Sequence, residues 1–187
     1  MSIVQKLTFE QTQPDSKYYE YAKGDPICEA YPNIKRYLDN VFGKTGSLTI
    51  CANLNNDIVG FQEMESLTEW LGKTNTNVSG AEVMTQYIKT AEQIYKNYKS
   101  DIIEKTAHLS LIAVNPLYRN KGIGTVIVKE ALKILKVKEF KSVVVECTGE
   151  YSAKVMINNG FKVLTEIYYD INIESPHTSF RILQKDI

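Results

Sequence analysis

A glycine-containing turn between a strand-like segment and an amphipathic helix is the feature that most constrains this chain. The strand-like residues are 109–114, and the helical pattern covers 122–136. Between them runs Arg119-Asn120-Lys121-Gly122-Ile123-Gly124. Apolar strands that alternate with amphipathic helices build layered folds, in which the helices cover a sheet. The turn therefore predicts an α/β architecture.

The chemistry of the same turn predicts a phosphate site. Gly122 and Gly124 carry no Cβ atom, so a ligand can approach the backbone amides of residues 120–125. The helix that begins here adds unpaired N–H groups and the positive end of its dipole. Arg119 and Lys121 supply mobile positive charge at the rim. We interpret the turn as a pyrophosphate cradle. A simpler interpretation, in which the glycines only punctuate a turn before a surface helix, stays open.

Two common pyrophosphate motifs do not fit this turn. A Walker loop needs Lys and then Ser or Thr after its last glycine, whereas Ile123 follows Gly122 here. A dinucleotide fingerprint begins directly after its strand, but Val114 lies eight positions before Gly122, and Ile127 occupies the place of the third glycine. Glu146 has the spacing of a ribose-binding acid, and that single match is not enough.

The composition indicates a protein of the cytoplasm. The 187-residue chain has 22 basic and 22 acidic residues, so no basic field for nucleic acid is expected. No apolar run approaches 18 residues, and no signal peptide is expected at the start. Cys28, Cys51 and Cys147 lack Cys-x-x-Cys spacing and are expected to be reduced, buried thiols. His108 and His177 have no cysteines nearby, so we expect structural hydrogen bonds rather than a metal site; a proton relay is the alternative.

The order of the periodic segments predicts a single domain over residues 1–187. Residues 3–9 alternate as an edge strand, and 48–53 with 58–64 form a hairpin around Asn55-Asn56-Asp57. Further strands are expected at 107–114, 142–147, 161–170 and 178–183, and helices at 34–42, 81–98, 122–136 and 151–158. Strands 107–114 and 142–147 are expected to be a central parallel pair.

The strand, Asn115-Pro116, Leu117-Tyr118-Arg119, Gly-x-Gly and helix together resemble the acyl-CoA loop of the GNAT acetyltransferases. The resemblance covers nearly the whole chain. It implies a mixed central sheet of about seven strands, with the parallel pair splayed after a bulge near Ala113-Val114, and about four or five flanking helices. It also implies acetyl-CoA as co-substrate, without a metal. The cofactor-binding residues it implies are Ile112, Ala113, Val114, Arg119, Asn120, Lys121, Gly122, Ile123, Gly124, Thr125, Thr148 and Ser152.

A second motif follows the strand that ends in Glu146-Cys147. GNAT members usually have a short helix here that closes with Gly-Phe, as Gly160-Phe161 does in this chain. Many carry a tyrosine four residues before that glycine, whose phenol protonates the departing thiolate. Met156 occupies the position here and cannot donate a proton. This departure puts the usual general acid in doubt.

Three stretches resemble one branch, the insect-type arylalkylamine N-acetyltransferases. They are Glu-Cys-Thr-Gly-Glu-Tyr-Ser at 146–152, Ser-Pro-His-Thr-Ser at 175–179, and Tyr-Ala-Lys-Gly-Asp-Pro-Ile at 21–27. In that branch the acid before the proline is implicated as general base, and Asp25 matches it. An alkylamine with a pKa of ~10.4 is neutral only about once in 2,500 molecules at pH 7, so a base is required. Asp25 and Pro26 shaping a turn is the alternative, and Glu29 and Glu63 are reserve bases.

The branch also places a catalytic serine on the short helix, and Ser152 matches it. Ser152 and Met156 lie four residues apart and share a helix face, so Ser152 points toward the position of the missing tyrosine. It is expected to donate a proton to the thiolate or to a water there. The alternative is a serine that only caps the helix.

The resemblance implies an N-acetyltransferase for a small arylalkylamine-like primary amine, which attacks the thioester directly without an acyl-enzyme. We expect the acceptor pocket between residues 18–32, the 165–176 segment and the far end of the 107–114 strand. A polyamine, a peptide amino terminus or a xenobiotic is an alternative acceptor, and the Glu63/Glu65 pair is the hint of an acidic groove. A non-catalytic acyl-CoA-binding sensor is the alternative from another class. Neither nucleic acid nor membrane is expected as a partner, and the protein is expected to be a monomer or homodimer.

Overall fold

The computed structural model of the chain describes residues 2–12, 16–22, 48–73, 82–169 and 177–187. The helix expected at 34–42, most of the polar loop at 73–80 and the turn at 172–176 lie outside these residues. The described part forms one sheet with helices on both of its faces.

The sheet has seven strands, in agreement with the number that the resemblance implied. They are β1 (Thr8–Glu10), β2 (Leu48–Leu54), β3 (Asp57–Ser66), β4 (Thr106–Val114), β5 (Ser142–Cys147), β6 (Lys162–Tyr168) and β7 (Ser179–Asp186). Their order across the sheet is β1-β2-β3-β4-β5-β7-β6. Strand β4 pairs with β5 in parallel, as the sequence predicted, and every other neighbouring pair among the described strands is antiparallel.

The described residues contain five α-helices and three short 3-10 helices. The α-helices are α1 (Leu67–Lys73), α2 (Glu82–Lys96), α3 (Ser100–Glu104), α4 (Ile123–Val137) and α5 (Glu150–Asn158). The helices predicted around α2, α4 and α5 are confirmed, whereas α1 and α3 were not predicted. A capping box marks the start of α1, because the Ser66 amide donates to Glu69 Oε2 (3.0 Å) and the Glu69 amide donates to Ser66 Oγ (3.2 Å).

The N-terminal edge strand is shorter than its alternating pattern predicted. Residues Ile3–Lys6 form a 3-10 helix, and the strand covers only Thr8–Glu10. A local capping box explains the difference: the Ser2 amide donates to Gln5 Oε1 at 2.9 Å, and the Gln5 amide donates to the Ser2 carbonyl at 3.1 Å.

The hairpin between β2 and β3 follows the prediction closely. Leu54 pairs with Asp57, which leaves Asn55 and Asn56 as a two-residue loop. Both asparagines have left-handed φ angles, 53° and 66°. A two-residue hairpin of this kind needs positive φ at both positions, and asparagine tolerates that conformation better than most residues.

Helix α4 packs on one face of the sheet, and α1 and α2 pack on the other. The α4 side buries Ile123, Ile127, Val128, Ala131 and Leu135 against apolar residues of the central strands. On the opposite side, Tyr87, Ala91 and Tyr95 of α2 pack with Trp70 of α1 and Phe180 of β7. The apolar face of α2 therefore forms the second layer of the core.

The contact between α4 and β3 depends on a glycine. A Cβ atom on Gly60 would lie 2.8 Å from Ile127 Cδ1 and 2.9 Å from the Ala113 carbonyl oxygen, so a larger residue forces the layers apart. We expect Gly60→Ala to lower the free energy of unfolding by about 1–3 kcal/mol, measured by urea denaturation.

Gly72→Ala is the matched control, because Gly72 lies in α1 and nothing lies within 4 Å of its Cβ position. This change should raise the free energy of unfolding by up to about 1 kcal/mol, since alanine favours a helix over glycine. Equal stability of both variants would contradict the described packing of α4.

Candidate active site

Strands β4 and β5 separate partway along their length and leave a wedge between them. Their parallel pairing runs from Thr106 opposite Ser142 to Leu109 opposite Val145. Beyond that pair β4 continues to Val114 and β5 continues to Cys147. Within the described ranges, backbone N–H and C=O groups on the inner edges of the wedge therefore have no partner strand, and they can bind an extended ligand.

A bulge at Ser110 accompanies this separation. Glu63 of β3 pairs with Leu111 and Met64 pairs with Leu109, so Ser110 is the extra residue of β4. The bulge lies three residues before the predicted position near Ala113-Val114. The physical reason is that pairing with β5 ends at Leu109, and the irregularity follows directly after that point.

The bulge reverses which side chains of β4 face α4. Before it, Ala107 and Leu109 pack beneath α4. After it, Ile112 and Val114 pack on that side, whereas Leu111 and Ala113 pack with Phe61 on the other face. Of the predicted cofactor-binding residues, Ile112 and Val114 therefore line the α4 side of the wedge.

The first turn of α4 lies directly beside this side of the wedge. A Cβ atom on Gly124 would lie 3.7 Å from Ile112 Cδ1 and 3.8 Å from Val114 Cγ2. The first backbone hydrogen bond of the helix runs from Val126 to the Gly122 carbonyl at 3.2 Å, so the amides of Ile123, Gly124 and Thr125 have no intrahelical acceptor. These donors suit the oxygens of a phosphate group.

The loop before α4 turns through two left-handed residues. Asn120 has φ 60° and Gly122 has φ 80°, and both are exposed. Left-handed residues in a turn make successive N–H groups converge, which builds an anion-binding concavity. The residues present therefore fit a pyrophosphate, and the predicted residues 119–125 lie together around one exposed loop.

The two cations of the loop differ in how they are held. Arg119 donates from Nε to the Val114 carbonyl (3.2 Å) and from Nη2 to the Tyr21 carbonyl (2.8 Å), so it fastens the 3-10 helix Ser16–Ala22 to the end of β4. Lys121 donates to the Leu117 carbonyl at 3.2 Å. Both side chains are exposed. Pyrophosphate contact by Arg119 stays a prediction, although its guanidinium is anchored rather than mobile.

The start of α5 carries the predicted serine. Ser152 Oγ donates to the Gly149 carbonyl at 2.9 Å, and the serine lies near the thiol of Cys147. Met156, one turn later, is buried in the core beneath α4. Ser152 and Cys147 therefore lie on the α4 side of the sheet with Met156. Burial raises the pKa of Cys147 to about 12, so this thiol is a poor nucleophile.

Thr148 and Gly149 are fixed by contacts from the C-terminal part of the chain. The half-buried Thr148 accepts a hydrogen bond at its carbonyl from Tyr169 Oη (2.8 Å). A Cβ atom on Gly149 would lie 2.4 Å from Nδ1 of His177, so only glycine fits beneath that buried imidazole. The ring of Tyr151 packs edge-on against His177, with centroids 5.0 Å apart.

The opposite face carries a buried polar cluster that sequence reasoning did not assemble. Glu146 accepts hydrogen bonds from Tyr95 Oη at one carboxylate oxygen and from His108 Nε2 at the other, the latter at 2.5 Å. His108 Nδ1 lies 3.8 Å from Glu65 Oε1, which also accepts from Ser110 Oγ (3.0 Å). The ring of Trp70 stacks on His108 with centroids 4.7 Å apart.

The electrostatics of this cluster favour a protonated histidine. Burial lowers the pKa of His108, but Glu146 and Glu65 act against it and raise the pKa to about 9. His108 is thus the structural hydrogen-bonder that the sequence predicted. The signal that could have identified the cluster is the parallel register, which places Glu146 two residues beyond Val144, the partner of His108.

Tyr18 and Tyr21, from the range 18–32 expected to line the acceptor pocket, lie against the end of β4. Tyr18 Oη donates to Asp57 Oδ1 (3.2 Å), and Tyr21 Oη donates to the Ile58 carbonyl (3.2 Å). Both rings pack against Phe61 and Ala113. The predicted base Asp25 and the reserve Glu29 lie outside the described residues, and so does Cys28.

The described ranges hold no group of histidine, cysteine or acidic side chains that is suited to a metal ion. No helix in the same ranges is both long and apolar enough to cross a bilayer.

Several solved structures share this fold. Arylalkylamine N-acetyltransferase 2 from Aedes aegypti superposes with a TM-score of 0.69 at 17% identity, covering 97% of this chain and 99% of that chain. An acetyltransferase from Bacillus subtilis in complex with CoA gives 0.61 at 14%, covering 97% and 99%. The polyamine N-acetyltransferase of Drosophila melanogaster gives 0.62 at 14%, covering 97% and 100%. These low identities establish the fold alone.

Among curated protein sequences, none matches this chain. The family model described as "Acetyltransferase (GNAT) family" matches residues 9–156, which is most of the chain. That match spans the wedge, the glycine turn and the start of α5, where the sequence motifs lie. The protein therefore belongs to the GNAT family of acetyltransferases.

Proposed function

We propose that this protein transfers an acetyl group from acetyl-CoA to the primary amine of a small arylalkylamine-like molecule. The observation that carries the proposal is the wedge between β4 and β5 with the first turn of α4 beside it. GNAT enzymes use acetyl-CoA as the acetyl donor. An enzyme of this fold from Aedes aegypti is named for arylalkylamines. The aromatic rings of Tyr18 and Tyr21 suit an aryl group at the wide end of the wedge.

The predicted cofactor-binding residues bind different parts of acyl-CoA. The backbone of residues 112–114 offers hydrogen-bonding groups to the pantetheine arm, and the side chains of Ile112 and Val114 supply an apolar wall. The amides of residues 120–125 hold the pyrophosphate. Thr148 and Ser152 lie near the reacting end, at the start of α5.

The proposed catalytic residues are Asp25 and Ser152. Asp25 takes a proton from the amine as general base, and Ser152 donates a proton toward the thiolate. Direct attack of the amine on the thioester is supported by the raised pKa and complete burial of Cys147, since a neutral buried thiol does not accept an acyl group.

A polyamine is the second candidate for the acceptor. Glu63 and Glu65 lie on the face of the sheet opposite α4 and are 3% and 7% exposed. The negative charge of these two carboxylates favours an acceptor with more than one positive charge. The polyamine N-acetyltransferase of Drosophila melanogaster has the same fold.

We further propose that residues 1–187 form a single catalytic domain, which acts in the cytoplasm as a monomer or homodimer. The described cysteines, Cys51 and Cys147, are free thiols, which supports a reducing compartment.

Thiol release from acetyl-CoA, measured across aryl amines, polyamines and short peptides, tests the function. The background from the protein's own three cysteines is subtracted. We expect release that depends on an aryl alkylamine. Release with polyamines alone would select the second candidate. If no amine in the panel causes thiol release while acetyl-CoA still raises the melting temperature, the assignment as an enzyme is refuted. The protein would then be an acyl-CoA-binding module.

Substitution separates the two catalytic roles. We expect Asp25→Asn to lower kcat about 10²- to 10⁴-fold, because the amine then loses its proton acceptor, and Ser152→Ala to lower kcat about tenfold. Both variants should keep the melting-temperature shift with acetyl-CoA. Asp101→Asn, an exposed carboxylate on α3, is the control and should match the unsubstituted enzyme. Unchanged kcat in both test variants would refute these assignments.

A further inference from the structure

Glu146 lies at the point where the two strands of the wedge separate. It is the first residue of β5 beyond the last parallel pair, Leu109 opposite Val145. Its neighbours Val145 and Cys147 pack beneath α4, so Glu146 projects from the opposite face of the sheet. The glycine turn that suits the pyrophosphate lies at the start of α4. An amine that reaches the thioester from the other side of the wedge therefore approaches Glu146.

The carboxylate of Glu146 is held rigidly. Tyr95 and His108 donate one hydrogen bond to each of its two oxygens. His108 is itself fixed beneath Trp70, and the ring of Tyr95 packs edge-on against Trp70 with centroids 5.5 Å apart. Both donors come from the buried core, where their rotamers have little freedom. A carboxylate preorganised in this way loses little entropy when it binds a cation.

The hydrogen-bonding capacity of this cluster is not fully used. The Glu146 side chain remains 12% exposed, and each of its oxygens has a second lone pair for a further donor. His108 Nδ1 is buried and makes no hydrogen bond within the described part of the chain. A buried polar cluster stabilises a fold only when its hydrogen bonds are complete, and replacing it by apolar residues is often neutral or favourable. Stability alone is therefore a poor explanation for this arrangement.

We propose that Glu146 binds the ammonium group of the acceptor at the narrow end of the wedge, and that Tyr95 and His108 position its carboxylate. This inference rests on the proposed function and names the contact that selects a primary alkylammonium. A charge-assisted hydrogen bond of roughly 2.7–2.9 Å would place the nitrogen next to the thioester.

In the proposed reaction Glu146 binds the amine, and the protons go to other groups. The bound ammonium gives one proton to the proposed base Asp25, and the neutral nitrogen then attacks the thioester carbonyl carbon. The C–N bond forms, and the C–S bond breaks with its electron pair on sulfur. The second nitrogen proton ends on that sulfur. The products are the N-acetylamine, CoA as the thiol and one proton.

The test is steady-state kinetics of Glu146→Gln with the amine that the unsubstituted enzyme prefers. We expect the KM for the amine to rise about 10- to 100-fold, because a charged hydrogen-bond partner is lost, while the KM for acetyl-CoA stays within about twofold. Asp25→Asn should instead lower kcat, which separates the two carboxylates. Glu130→Gln is the matched control: Glu130 pairs with Lys133 at 2.6 Å on α4, outside the expected acceptor pocket, and the KM for the amine should not change.

An unchanged KM for the amine in Glu146→Gln would overturn the inference while leaving the proposed function intact. Loss of the proposed function itself would show as absence of amine-dependent turnover in the unsubstituted enzyme. If Glu146→Gln does not fold, the KM for the amine in Tyr95→Phe provides the test. It removes one hydrogen bond to the carboxylate, and we expect a rise of about threefold to tenfold in the KM for the amine. No rise in that variant would again overturn the inference.

Discussion

The separation of β4 from β5 after Leu109 is the constraint on which the rest of this site depends. In a continuous parallel pair, every backbone group of the central strands would be used by the neighbouring strand. Ending the pair at the middle of the sheet leaves backbone groups at the interior of the protein that need a partner. The extra residue Ser110 bends β4 at this point and turns Ile112 and Val114 toward α4.

The two faces of the sheet therefore offer different chemical environments. On one face, the apolar end of β4 meets the glycine turn of α4, where the backbone amides suit an anion. On the other face, the polar side chains of Glu146 and His108 project among aromatic rings. The wedge connects these two environments. Close packing keeps it in place: Gly60 lets α4 approach β3, and Gly149 lets His177 cover the start of α5.

Much of the fold could be predicted because the signals are local. The apolar period of α4, the β-branched run of β5 and the Asn55-Asn56 turn each determine a nearby conformation. The secondary-structure predictions failed where a side chain forms local hydrogen bonds with the backbone. The capping box at Ser2 replaced a predicted strand by a 3-10 helix, and a similar box at Ser66 started a helix that periodicity did not show.

The site was predictable only on the α4 side, where its residues are close in sequence. The glycine turn and the start of α5 are continuous motifs, so their chemistry is visible in the chain. The Tyr95, His108 and Glu146 cluster joins one helix and two strands, and the hydrogen bond from Tyr95 to Glu146 spans 51 residues. Its assembly depends on the register of β4 against β5, which pairs His108 with Val144. Sequence periodicity does not reveal that register.

Hydrogen exchange of the backbone amides, measured with and without acetyl-CoA, tests most directly whether the wedge and the glycine turn hold the cofactor. We expect slower exchange in residues 110–114 of β4 and in residues 120–125 of the α4 turn, since both offer amides to the ligand. Exchange in β6, at the far edge of the sheet, should stay unchanged. Binding of acetyl-CoA without protection of either segment would show that the cofactor is held elsewhere.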